Sequence, residues 1–142
     1  MEKFRDFAIK YLEIAEKDLE RAKRNLDFDD YEATIFYAQQ CVEKSVKSIL
    51  EIHGIFTKEH EINTQFAVLA KKEKFDENIS RTILTALEFF ALDWSRTRYP
   101  FILKGAVTSP EEYYSEEKAG KALEIAAEIS RLVKDYLEHL TQ

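Results

Sequence analysis

The chain has 142 residues, 45% of them hydrophobic and 34% charged, with three glycines, two prolines and a net charge of −6. That length suits one domain with its own core, and that balance excludes an intrinsically disordered chain. The acidic balance also excludes a generally basic nucleic-acid-binding surface, so any contact with a polyanion must come from a local patch.

Few glycines and prolines leave few sharp turns, which favours long helices. The first is read from Leu12, Ala15, Leu19, Ala22 and Leu26, which recur at steps of four and three with Phe4, Ala8 and Tyr11 upstream. Asn25 to Asp30 breaks the pattern, and Asp29 with Glu32 reads as a capping box. A second helix runs from about Asp30 to His53. Its apolar positions, among them Ile35, Ala38, Cys41, Val42, Val46 and Ile49, cover more than one stripe, as in a central helix or one carrying a second interface. Gly54 is placed to end it in a left-handed turn.

A shorter helix is expected from roughly Glu59 to Lys72 on Ile62, Phe66 and Leu69. The next uses Ile79, Ile83, Leu87, Phe90 and Trp94, and ends near Arg98 because Pro100 disfavours helical dihedrals at Tyr99. Residues 101–108 read as a loop. Ser109-Pro110 and Ser115-Glu116 offer two starts for the last helix, where Ala119, Ala122, Ala126, Ile129, Val133, Tyr136 and Leu140 alternate by three and four. No segment of β period is found. The expected fold is all-α, one domain over residues 1–142, an antiparallel up-and-down bundle of four long helices and one shorter one.

Cys41 is the only cysteine, which excludes an internal disulfide and a cysteine-rich zinc site. His53, His60 and His139 lack the close spacing of metal ligands, so neither a metal nor a cofactor is expected. The sequence holds no N-terminal signal region and no apolar run of membrane length, so the expected location is cytoplasmic, without a membrane partner.

The segment Tyr37-Ala38-Gln39-Gln40-Cys41-Val42-Glu43-Lys44, followed by Lys47, Gly54 and His60, then Arg98-Tyr99-Pro100 and Tyr114 through Ala127, resembles a HEPN domain over nearly the whole chain. The resemblance implies a helical bundle that pairs into a homodimer. Many members act beside a minimal nucleotidyltransferase in toxin–antitoxin-like pairs. Several are metal-independent ribonucleases with an Arg-x4–6-His motif placed where two protomers meet. This chain departs from that motif: Phe101, Ile102 and Leu103 follow Arg96 at those spacings, and Leu103, Lys104 and Gly105 follow Arg98. RNA cleavage without metal needs a proton acceptor and a donor, which arginine cannot supply.

The candidate phosphate-binding residues are therefore Arg96, Arg98, Lys44 and Tyr99, with Tyr37, Gln40 and His60 as a supporting polar network and His60 as the one candidate for a replacement acid–base group. Guanidinium groups suit bidentate phosphate contact. The same arginines also suit the carbonyl end of a helix, with Asp93 pairing to Arg96 at the surface. Tyr37, Gln40 and Lys44 share one helical face, which a polar network fixing helix register would equally explain. Of the tyrosines beside the long loop, Tyr99, Tyr113 and Tyr114, one is open to stack on a base. Three readings follow: a nucleotide- or RNA-phosphate-binding homodimer working with a nucleotidyltransferase, a ribonuclease toxin using His60, or a non-catalytic scaffold.

Overall fold

A computed structural model describes residues 2–140. Helices α1 (Glu2–Asp27), α2 (Tyr31–Ile52), α3 (Asn63–Lys72), α4 (Glu77–Phe89), α5 (Asp93–Arg96), α6 (Pro110–Tyr113) and α7 (Glu116–Leu140) alternate with one antiparallel hairpin, β1 (Phe101–Leu103) and β2 (Ala106–Thr108). The long helices form the antiparallel bundle that the apolar stripes imply.

The middle of the bundle is α2. Its apolar arc packs on α1 and α7, and even its polar residues Gln39, Glu43, Lys47 and Glu51 are buried. The wide arc therefore marks a central helix. Ile35, Val42, Val46, Ile49 and Leu50 are essentially inaccessible, each worth about 1.5–3 kcal/mol relative to exposure. Small residues on the facing helices, Ala8, Ala15 and Ala22 of α1 and Ala119, Ala122 and Ala126 of α7, let the backbones approach. Close contact shows at Ser48, whose hydroxyl donates to the Ala8 carbonyl at 2.7 Å. The stripe of α7 ends on buried Leu137; Tyr136 is half-buried and Leu140 exposed.

Helix ends explain several departures from the sequence reading. Asp29 and Glu32 form no capping box: Asp29 has φ 58°, and no side chain caps α2. Asp29 instead closes α1, with Asp30 N–H donating to Asn25 O at 2.9 Å. Gly54, at φ 80°, closes α2 in the same way, with Ile55 N–H reaching Leu50 O at 2.8 Å. Both hydroxyl caps in the last stretch are used. Ser109 accepts from Glu112 N–H at the start of α6, and Ser115 from Lys118 N–H at the start of α7. Asp76 caps α4, accepting from the N–H groups of Asn78 at 2.9 Å and Ile79 at 3.3 Å. Asp76→Ala is expected to cost about 1 kcal/mol in urea unfolding, because it strands both donors.

Three boundaries move. The third helix begins at Asn63, so His60 lies at a bend in the irregular segment before it. The expected single helix through Trp94 is broken at Phe90–Leu92 and restarts as the single turn α5. Residues 101–108 form the hairpin, with Lys104 at φ 49° and Gly105 at φ 80°, the paired positive values of a two-residue type I′ turn.

Away from these features, His53 is half-buried on Phe75, with its ring nitrogen 2.7 Å from the Tyr136 hydroxyl. Burial, partly offset by Glu73, lowers its pKa, so the folded state favours the neutral ring. That contribution to stability is fully present above the unfolded value of about 6.5 and is lost as pH falls from there through the folded value. The urea midpoint should therefore drop between pH 7 and 5, by less in His53→Gln than in the native protein.

Candidate functional site

A cleft of about 820 Å³ lies between α2, the 59–65 segment and the α4–α5 corner. Val42, Leu87 and Phe90 give it an apolar lining, Glu43 and His60 give polar groups, and Trp94 forms part of the wall. Packing of the 55–62 segment across α2 brings His60 to this wall. Its ring stacks on Trp94 with centroids 4.1 Å apart and planes at 27°. On the same indole lies the Arg98 guanidinium, its Cζ 4.0 Å from the ring centre. His60 and Arg98 are therefore no more than about 8 Å apart.

Glu43 holds His60 in place. Its carboxylate oxygens lie 3.2 and 3.3 Å from Nδ1. The same carboxylate accepts from Gln39 at 3.2 Å and Lys47 at 3.3 Å, and Gln40 donates to Gln39 at 2.7 Å. Glu43 and Lys47 are only 4% and 6% exposed, so the ion pair is buried beneath the cleft. A carboxylate at Nδ1 favours the tautomer that carries its proton there, leaving Nε2 free to accept.

Arg98 also serves the helix end. Its Nε–H donates to the Trp94 carbonyl at 3.0 Å, and its Cζ lies 5.2 Å from the exposed Tyr99 ring and 5.7 Å from Phe36 of α2. Helix closure and an outward-facing cation are thus one arrangement, because guanidinium donors remain for a ligand.

Arg96 turns the other way. Its Cζ sits 4.6 Å from the Phe101 ring and 5.7 Å from the Tyr113 ring. The expected surface pair with Asp93 is not formed. Asp93 is 2% exposed and accepts the Tyr114 hydroxyl at 2.6 Å, so Tyr114 is buried rather than open to a base. Burial raises the pKa of the Asp93 carboxyl, against the lowering effects of Tyr114, Lys118 and Arg96. Lys44 stands apart from both arginines. Its Nζ pairs with Asp18 of α1 at 2.6 Å, beside the Arg21–Asp18 pair at 2.8 Å. Tyr37 faces the same neighbour, its ring 5.9 Å from Arg21 Cζ. Of the expected set, then, Arg98, Tyr99 and His60 come together, Gln40 reaches them through Gln39 and Glu43, and Lys44, Tyr37 and Arg96 do not.

Sequence reasoning missed Trp94 and Glu43 as site residues. A signal existed for both: Trp94 precedes Arg98 by four positions, and Gln39, Glu43 and Lys47 are spaced by four on α2. Cys41 offers no nucleophile, since burial pushes its thiol up to about 12. Among the described residues no cluster of His, Cys, Asp and Glu could hold a metal ion, and no helix is long and apolar enough to cross a membrane.

A family model for the HEPN domain matches residues 8–136. The chain belongs to the HEPN family. Its sequence is 32% identical over 139 residues to the Methanocaldococcus jannaschii protein called "Putative toxin MJ1304", covering 93% of this chain and 91% of that one. Two crystal structures are similar in fold. TT1696 from Thermus thermophilus has a TM-score of 0.74 at 25% identity, over 90% of this chain and 96% of that chain. ST0689, an archaeal HEPN homologue, has a TM-score of 0.70 at 29% identity, over 92% and 97%. Within this HEPN fold no histidine follows Arg98 at the family's spacing, and His60 reaches Trp94 from a different segment.

Proposed function

We propose that this HEPN protein binds the phosphate of a nucleotide or RNA at the corner formed by Trp94, His60 and Arg98. The observation that carries this reading is the indole of the cleft wall, shared by a cation and an imidazole. Arg98 meets no carboxylate within ion-pair distance among the described residues, so its charge is available to an anion. Glu59 and Glu61 line the cleft and oppose phosphate there, which favours an anion on the Arg98 side and an uncharged base against Val42, Leu87 and Phe90.

The likeness to a protein named as a toxin supports a toxin-like role; a minimal nucleotidyltransferase as partner and a second copy of the chain as the other half of a homodimer complete this reading. The exposed apolar side chains of Ile102 and Val107, cross-strand neighbours on the hairpin, fit a covered surface of that kind. Light scattering of the purified protein, alone and with the co-expressed partner, checks the assembly.

Arg98→Ala is expected to weaken binding of a labelled nucleotide or short RNA about tenfold, as the loss of one charge-assisted phosphate contact. Anisotropy titrations measure it, and equal affinities for native protein and variant would return Arg98 to a purely structural role. A ribonuclease is the second reading, favoured by one observation: Glu43 fixes Nδ1 of His60, as an acid–base histidine requires. RNA degraded by the native protein and spared by His60→Ala would establish it; RNA left intact by both leaves the protein a binder.

A further inference from the structure

We infer that the hairpin is a docking site for a partner protein, which adds an extended, acidic segment as a third strand along the outer edge of β2. This rests on the reading of Ile102 and Val107 as a covered surface, and it names what covers them. The backbone supplies the first argument. Leu103 and Ala106 flank the two-residue turn and so exchange both ladder hydrogen bonds. By alternation Ile102 and Val107 are the non-bonded pair, and their N–H and C=O groups point away from the hairpin. Among the described residues neither meets a backbone partner there. The same two residues are 71% and 76% exposed, so free ladder groups and bare apolar side chains coincide. Open edges are ordinarily blunted by charge or proline, and neither stands at these two positions.

The two edges are not equal. Outside the turn, the next outward position on β1 is Pro100, which has no N–H to give. On β2 it is Ser109, still extended at φ −85° and ψ 157°, whose N–H has no backbone acceptor among the described residues. Charge then sets the kind of partner. Between Asp93, which is buried, and Glu111 the chain carries Arg96, Arg98 and Lys104 and no carboxylate, in a protein of net charge −6. Such a local field attracts an acidic segment. A second copy fits poorly. The hairpin holds the only strands among the described residues, so pairing with itself doubles the positive charge and brings no carboxylate. In an added strand alternate side chains face opposite ways: apolar ones join Ile102 and Val107, and acidic ones take the face where Arg96 lies against Phe101.

The test uses the full chain and a pair of fluorescein-labelled octapeptides, one alternating valine with glutamate and the other valine with lysine. Anisotropy should show about tenfold tighter binding of the glutamate peptide, and Val107→Pro should weaken that binding about tenfold. Proline there deletes an outward N–H and spares the internal ladder, so the urea midpoint should stay at the native value. In the native protein, saturating glutamate peptide should slow hydrogen exchange at the Val107 and Ser109 amides about tenfold, a readout that needs no variant. A glutamate peptide that is not bound, or is bound equally by native protein and Val107→Pro, overturns the added strand, as do amides left unprotected at saturation. Self-association seen by light scattering and abolished by Val107→Pro makes the occupant a second copy and also overturns it. Assembly with the co-expressed partner that is lost in Ile102→Ser plus Val107→Ser but kept in Val107→Pro leaves the covered surface standing without the strand. Assembly indifferent to both variants removes both readings.

Discussion

Glu43→Ala should destabilise the protein by about 3–5 kcal/mol, because it leaves the buried Lys47 ammonium without its counter-ion. The two side chains are 5% and 8% exposed and 3.3 Å apart, so the ammonium is largely withdrawn from solvent. The same change strips Gln39 of an acceptor and releases Nδ1 of His60. Urea unfolding of Glu43→Ala beside Glu43→Leu plus Lys47→Leu separates the pair from the packing. The leucine pair removes both charges and fills the volume, and should lie within about 2 kcal/mol of the native protein. A single variant as stable as the native protein would mean that Lys47 escapes to solvent and that the carboxylate does not anchor the cleft floor.

Tyr114→Phe is expected to cost about 2–3 kcal/mol at pH 7, since it deletes the 2.6 Å hydrogen bond to a buried carboxylate. Asp93 would keep only Lys118 at 3.9 Å, with its other oxygen already without a partner. The pH dependence has a definite sign. Burial raises the Asp93 pKa above its ordinary 3.8, so the folded state binds more protons than the unfolded state just above that value. This group's contribution to stability is then largest in acid and declines as pH rises through the folded pKa. Losing the tyrosine donor, which favours the ionised form, raises that pKa further. The penalty of Tyr114→Phe should therefore be smaller near pH 4 than at pH 7, as measured by paired urea titrations. An equal penalty at both values would indicate that Asp93 is already neutral in the fold.

The bundle was legible where one face of a helix does all the burying. Leu12, Ala15 and Ala22 on α1 and Ala119 to Val133 on α7 fall where their spacing puts them. The break between α4 and α5 was not, because Glu88-Phe89-Phe90-Ala91-Leu92-Asp93 contains neither glycine nor proline. Its evident cause is tertiary: Asp93 is held in the interior by Tyr114, 21 positions away. The hairpin did announce itself, in the Lys104-Gly105 turn between Phe-Ile-Leu and Ala-Val-Thr, but strands of three residues are too short for a period to show. At the site, the arginines and His60 were readable as chemistry and not as neighbours. A helical face holding Tyr37, Gln40 and Lys44 says nothing about which helix it meets; α1 supplied Asp18 and took Lys44 away. Lys118 went unremarked because nothing local distinguishes it, and its contacts with Tyr113 and Asp93 come only from where α6 turns into α7.

Trp94 is the sole tryptophan, and it touches both His60 and Arg98. Near-ultraviolet emission from this molecule under selective excitation thus comes from one known place. An anion arriving at Arg98 would alter the quenching groups in contact with the fluorophore. Occupancy of the corner can be followed without a dye, in the unmodified protein.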